Sequence, residues 1–155
     1  MAILSGGNPY QLEDPTWIRY CEQNFYYLYD PNVGKWLSIH IETIPYGRNA
    51  TVVAGFLRSV NGVFTDATRG MDIPHDGTLV AVTGCANNTP TPNIKVQVYN
   101  NGNQIYETGW LSQKFSVSCD EDFTLGNLSA KIDATELPNT PPNYPIVQLY
   151  AKWRL

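Results

Sequence analysis

Charged side chains are scarce in this sequence. Asp, Glu, Lys and Arg make up 15% of the 155 residues, well below the roughly one quarter that is usual for soluble domains. Neutral polar residues, together with 12 glycines and 11 prolines, must therefore cover most of the surface. Such a composition favours short strands joined by tight turns over helices.

The sequence also lacks any cluster of basic residues, which argues against nucleic acid as a partner. The net charge is -4 and the isoelectric point is near 5.0. Binding to a phosphate backbone needs a concentrated positive surface, whereas the 10 Lys and Arg residues are dispersed along the chain.

No long apolar run is present. No stretch approaches the roughly 18 consecutive apolar residues of a membrane-spanning helix. The opening MAILSGGNPY has neither the basic start nor the long apolar segment of a secretory signal. We therefore expect a soluble protein made in the cytoplasm, with no membrane partner, and a length that fits one domain around one core.

Cysteine is rare and irregularly placed. Cys21, Cys85 and Cys119 are far apart, form no Cys-x-x-Cys pair and have no histidine nearby. Because three cysteines cannot all pair within one chain, we expect free thiols in a reducing compartment rather than a disulfide scaffold or a zinc site.

The segment RGMDIPHDGTLVAVTGCA, residues 69–86, holds the best candidate for chemistry. Asp72, His75 and Asp76 fall within five positions, as in a metal site or an acid–base pair. The proline before His75 and the glycine after Asp76 are instead typical of a β-turn, in which an Asp accepts backbone N–H bonds. We predict a turn, with no metal, no cofactor and no catalytic residue. A metal or acid–base site is the alternative.

Other chemical candidates are weaker. His40 lies inside a predicted strand, which indicates an ordinary surface or interface position. Asp120, Glu121 and Asp122 form an acidic cluster between two predicted strands, where we expect a solvated loop and keep a weak cation site as the alternative. The nucleophile elbow, the phosphate-binding loop, the zinc-protease motif and the calcium-loop spacing are all missing. We therefore expect no enzymatic activity.

Alternation with a period of two dominates the chain after residue 23. Roughly eight to ten short segments of this kind are bounded by turn residues, the pattern of an antiparallel β-sandwich or barrel. Residues 36–43 are predicted to form one strand and residues 93–111 a hairpin with its bend at residues 100–103. Another strand begins near residue 78, and its predicted common face comprises Leu79, Ala81, Thr83 and Cys85.

The first 23 residues differ from the rest. Gly6-Gly7, Asn8-Pro9 and Asp14-Pro15 interrupt any regular element, yet the segment is too apolar for a free tail. We predict an extended, irregular N-terminal arm (residues 1–23) followed by the sandwich domain (residues 24–155). Either the arm binds a partner protein, or it is a strap across the domain's own core. The predicted contact residues of the arm are Ile3, Leu4, Tyr10, Leu12, Trp17, Ile18 and Tyr20.

Three stretches taken together resemble a family of small jelly-roll domains from tailed-phage virion proteins. They are YDPNVGKWLSI, GFLRSVNGVFTDATRGMDIPHDGTLVAVTG and the closing YAKWRL. The likeness covers residues 29–155, and it rests on the order and spacing of these stretches. The chain departs from the family at His75, where Arg is more usual, in the proline-rich loops near residues 90 and 141, and throughout residues 1–23.

The resemblance implies a self-associating jelly-roll β-sandwich without enzymatic activity, as found in capsid cement (decoration) proteins and at tail-fibre tips. From it we predict a bacteriophage capsid cement protein, a homodimer or homotrimer on the capsid exterior that stabilises contacts between major capsid protein subunits. The alternative is a tail-fibre tip or baseplate component that binds a receptor. An enzyme that uses Asp72, His75 and Asp76 ranks below both.

Overall fold

A computed structural model describes five parts of the chain: residues 10–11, 17–20, 26–87, 94–135 and 142–154. Within these residues every regular element is a β-strand, and every strand pair is antiparallel. The described residues contain no helix that could cross a membrane. The prediction of an all-β, antiparallel fold is confirmed.

The strands form three sheets. In chain order they are β1 (Tyr10–Gln11), β2 (Trp17–Tyr20), β3 (Tyr26–Asp30), β4 (Lys35–Ser38), β5 (Glu42–Gly47), β6 (Ala54–Phe56), β7 (Arg58–Ser59), β8 (Met71–Ile73), β9 (Gly77–Asn87), β10 (Lys95–Asn100), β11 (Asn103–Glu107), β12 (Lys114–Phe123), β13 (Gly126–Asp133) and β14 (Asn143–Trp153). Sheet I has the order β11-β10-β13-β6, with β8 also paired to β13, and sheet II has the order β12-β9-β14-β5-β7. The flank sheet has the order β1-β2-β3-β4.

Sheets I and II enclose the core in a sandwich-like arrangement. Alternate residues of β14 are buried on the inner face of sheet II, as its period of two predicts. Facing them, alternate residues of β10 are buried from sheet I, as are Leu128–Ala130 and Ile132 of β13. The central residues of this core have no exposed surface: Leu79, Val82, Val96, Val98, Leu128, Ala130, Val147, Leu149 and Ala151. Burial of each larger aliphatic side chain stabilises the fold by about 1.5–3 kcal/mol.

The predicted common face of β9 is wrong, because a β-bulge divides that strand. In the pairing with β14, Ala81 is opposite Tyr150 and Leu79 is opposite Ala151. Val80, between them on β9, is therefore unpaired. An extra residue shifts the side chains that follow it to the other face. Leu79 and Val82 are therefore both fully buried, whereas Cys85 is exposed.

The prediction of a single strand over residues 36–43 is also wrong. The chain leaves the flank sheet after Ser38 and enters sheet II at Glu42. Ser38 stabilises this exit, because its hydroxyl donates to the backbone carbonyl of His40 (2.6 Å) and accepts from the backbone N–H of Trp153 (2.9 Å). The hairpin predicted within residues 93–111 is confirmed, with β10 and β11 joined through Asn101 and Gly102.

The N-terminal arm is not irregular throughout. Tyr10–Gln11 and Trp17–Tyr20 form β1 and β2, and β2 pairs with β3. Strands of two and four residues are too short to show an alternating pattern in the sequence. The boundary between an arm and a sandwich domain stays a prediction.

Candidate interaction site

Three turns meet at one end of the sandwich. They are the β8–β9 connection at residues 74–76, the β10–β11 bend and the β12–β13 bend, and hydrogen bonds join all three. Asn100 donates to the carbonyls of Thr124 and Asn127 (3.0 Å each) and accepts from the N–H of Thr124. Asn101 accepts from the N–H of Asn127 at 2.9 Å. This end of the molecule is fixed by polar side chains.

Asp76 belongs to this turn cluster. Its carboxylate accepts from the backbone N–H of Leu125 at 2.8 Å, and its own carbonyl accepts from the N–H of Arg154 at 2.9 Å. The prediction that this Asp accepts a backbone N–H bond is confirmed. The segment is more than a local turn, however, because it carries the chain from sheet I to sheet II.

Asp72 and His75 line a groove of about 320 Å³ that Asp76 does not line. The groove also includes Glu42 from β5 and Trp153 from β14. The His75 ring meets the indole of Trp153 edge-on, with 5.5 Å between the ring centroids. The three predicted candidates therefore do not form one site. Asp76 stabilises the turn, while Asp72 and His75 line a largely apolar groove whose acidic side chains are Asp72 and Glu42.

No group of three or more His, Cys, Asp and Glu side chains with metal-binding geometry occurs in the described parts of the chain. His40 is exposed, as predicted, and its Nε2 lies 3.3 Å from a Glu42 carboxylate oxygen. Cys85 and Cys119 are free thiols. Desolvation raises the pKa of the half-buried Cys119 to about 12, so this thiol stays protonated at neutral pH. Cys21 lies outside the described residues.

The acidic cluster is part of β12 rather than a solvated loop. Lys35 Nζ lies 2.7 Å from a carboxylate oxygen of Asp120 and 3.0 Å from one of Asp122. Asp122 also pairs with Arg154 at 3.3 Å and accepts from the Thr78 hydroxyl at 2.7 Å. The cluster therefore attaches β4 of the flank sheet to the sandwich through side chains of this same chain.

The edge of sheet II carries an exposed apolar hairpin tip. After β7 the chain turns at Gly62, whose φ of +74° suits glycine, and Phe64 returns to pair with Arg58. The N–H of Ser59 donates to the carbonyl of Val63 at 3.1 Å. The Arg58 guanidinium lies 3.8 Å from the centre of the Phe64 ring, as in a cation–π contact. We call residues 58–64 the edge hairpin.

Three apolar side chains of the edge hairpin face solvent. Val60, Val63 and Phe64 are 63%, 62% and 61% exposed. Single exposed apolar residues are ordinary on a soluble domain, but three on one short hairpin are typical of a contact surface. Asn61-Gly62 is a typical turn pair in the sequence, but this exposed surface was not predicted. The apolar residues on both sides of the turn were the available signal.

The predicted arm residues are only partly described. Tyr10 lies in β1, and Trp17, Ile18 and Tyr20 lie in β2. Their backbone belongs to the flank sheet, which is compatible with the strap alternative. Ile3, Leu4 and Leu12 lie outside the described residues, as do most residues of the two proline-rich loops. A partner-binding role for the arm stays a prediction.

Comparison with known proteins gives no assignment. No family model matches the chain, and no curated protein matches it. A solved structure, "Crystal Structure of FLHE", is similar to 74% of this chain and 98% of its own, with a TM-score of 0.36 and 13% sequence identity. A likeness at that level carries no argument about fold or function.

Proposed function

We propose that this protein is a bacteriophage capsid cement protein that binds the outer surface of the head and stabilises contacts between major capsid subunits. The observation that carries the proposal is the edge hairpin, which presents three exposed apolar side chains beside the edge strand β7. Depletion of charge and exposure of aromatic and aliphatic groups are typical of the centre of a protein interface. The phage context comes from the resemblance of residues 29–155 to virion jelly-roll domains.

The edge hairpin alone is too small to hold a partner. Covering each of its three apolar side chains contributes about 1–2 kcal/mol, while association costs at least about 4 kcal/mol in lost freedom. A lasting attachment therefore needs further contacts. The N-terminal arm and self-association into a dimer or trimer, both expected from the sequence, would supply them by multivalent binding.

We also propose a jelly-roll connectivity for the sandwich, on the resemblance of residues 29–155 to virion jelly-roll domains.

A binding experiment on undecorated heads tests the proposal. Purified protein is mixed with heads, and the bound fraction is measured after sedimentation. Val63→Asp should weaken attachment by about 10-fold or more, because the charge would be desolvated in the contact. Leu125→Asp is the matched control, since Leu125 is equally exposed, at 63%, but lies in the turn cluster. Unchanged binding by Val63→Asp would contradict the assignment of the edge hairpin.

The copy number in virions separates the proposal from a tail location. Quantified bands of purified particles should show this protein in numbers comparable to those of the major capsid protein. A small fraction of that number would contradict the cement hypothesis and favour the tail-fibre or baseplate alternative. Labelled protein should lie over the whole head surface in electron micrographs.

A further inference from the structure

Two arginines without acidic partners among the described residues lie at the base of the edge hairpin, Arg58 within it and Arg48 on the neighbouring segment. Arg48 and Arg58 both line a recess of about 510 Å³, and no described residue of its lining carries a carboxylate side chain. The other arginines with described side chains are paired: Arg69 with Asp66 and Arg154 with Asp122. The recess is therefore a local concentration of positive charge on a chain whose net charge is -4.

Sheet pairing places the two arginines together. Arg58 of β7 is opposite Gly47 of β5, and Arg48 follows directly after Gly47. Gly55 leaves room for Arg48, because a Cβ at that glycine would lie 2.8 Å from one Arg48 guanidinium nitrogen. The Nε–H of Arg58 is buried and donates to no acceptor among the residues that the structure describes. A buried donor without an acceptor is destabilising, and an oxyanion bound beside the Arg58 guanidinium would supply an acceptor.

We infer that this recess binds a carboxylate of the partner protein, held by Arg48 and Arg58 while apolar side chains of the partner cover Val60, Val63 and Phe64. The inference rests on the proposed function and names the partner chemistry. The planar fork of an arginine matches the two oxygens of a carboxylate. The adjoining apolar tip favours an acidic residue flanked by apolar neighbours over a nucleic acid or sulfated glycan, which the net charge would repel.

A head-binding series tests the recess in its functional setting. Arg48→Gln and Arg58→Gln should each weaken attachment about 10- to 100-fold, the usual effect of losing a charge-assisted hydrogen bond. Arg58→Lys should lose most of this affinity although it keeps the charge. Lys114→Gln is the matched control, because it changes the net charge equally at the far edge strand β12. If Lys114→Gln lost as much affinity for heads as the arginine variants, the inference would be overturned, because the effect would then come from the net charge rather than from the recess.

A second experiment separates failure of the inference from failure of the proposed function. The arginine Nε–H signals of the full-length protein are followed by NMR during titration with a capped Leu-Glu-Leu peptide, its Leu-Gln-Leu counterpart, inorganic phosphate and a single-stranded oligonucleotide. Selective shifts of the Arg48 and Arg58 signals with the Glu peptide support the recess even if heads are not bound. No shift, equal shifts with the Gln peptide, or binding of phosphate and oligonucleotide alone would overturn the carboxylate assignment, whatever the heads show.

Discussion

At the scale of single residues, Asp72 and Asp76 differ although only three residues separate them. The Asp76 carboxylate accepts the N–H of Leu125, whereas the Asp72 side chain is exposed on β8 and makes no hydrogen bond or ion pair within the described structure. We expect Asp76→Ala to lower the free energy of unfolding by about 1–2 kcal/mol and Asp72→Ala to change it by less than about 0.5 kcal/mol. Urea unfolding measures both. Equal effects would show that the Asp76 contact does not hold the turn.

Gly126 is the second residue on which the turn cluster depends. Its φ is +132°, and a Cβ there would lie 2.1 Å from the Asn101 side-chain oxygen. Gly126→Ala should therefore cost more than about 1 kcal/mol of unfolding free energy, through backbone strain and displacement of Asn101. Gly109→Ala is the control, because nothing lies within 4 Å of a Cβ at that position. Thermal unfolding compares the two variants, and a stable Gly126→Ala protein would refute the steric argument.

At the scale of elements, ion pairs between β4 and β12 add to the Ser38–Trp153 hydrogen bond that joins the flank sheet to the sandwich. Burial opposes ionisation of Asp122, but hydrogen bonds from Thr78 and Lys35 and the charge of Arg154 outweigh it, so the pKa of Asp122 lies below its ordinary value. A carboxyl whose pKa is lowered by folding stabilises the protein above its unfolded pKa and loses that contribution as pH falls. The attachment of β4 should therefore weaken in acid.

Unfolding of Asp122→Asn as a function of pH checks this expectation. The wild-type protein should be more stable than the variant near neutral pH. The difference in their free energies of unfolding should decrease as pH falls below about 4. In a Lys35→Met background the difference in unfolding free energy at neutral pH should be smaller, because the Lys35–Asp122 ion pair is already lost. A gap that does not change with pH would mean that the Asp122 charge contributes nothing to folding.

Sequence patterns predicted the elements where a strand stays in one sheet. On β14 the alternation of buried and exposed residues runs from Pro145 to Trp153 without a break, so its inner face could be predicted. The same reasoning failed at Val80, because the residue types around it do not indicate that one residue of the strand is unpaired in a bulge. It failed again between β4 and β5, where apolar alternation continues through Ile39 and Ile41 while the chain changes sheets.

At the scale of the whole molecule, the interaction surface was harder to predict than the core. Apolar residues in alternation predict a buried face, but they do not say which apolar residues a partner will cover. Val63 and Phe64 are distinguished from core residues only by their place beyond the edge strand β7. Arg48 and Arg58 are ten positions apart in the sequence, and the pairing of β5 with β7 brings them to one recess.

Deleting residues 1–23 tests how the arm, the flank sheet and the sandwich depend on one another. The deletion removes β1 and β2 but leaves β5–β14, which supply the core between sheets I and II. We expect cooperative unfolding with a lower Tm, since β3 loses its pairing with β2 and keeps only β4, at about 2–4 °C for each kcal/mol lost. Circular dichroism during heating measures this change.

The same truncated protein decides between the two roles of the arm. A folded truncation that no longer binds heads would support partner binding by the arm, because the edge hairpin and the Arg48–Arg58 recess remain in place. A folded truncation that binds heads with the same affinity as the full-length protein would contradict partner binding by the arm. The role of the arm would then be its pairing with β3. Loss of cooperative unfolding would instead show that the flank sheet is required for the sandwich. In that case the arm, the flank sheet and the two larger sheets form one folding unit, and the predicted boundary at residue 23 is not a domain boundary.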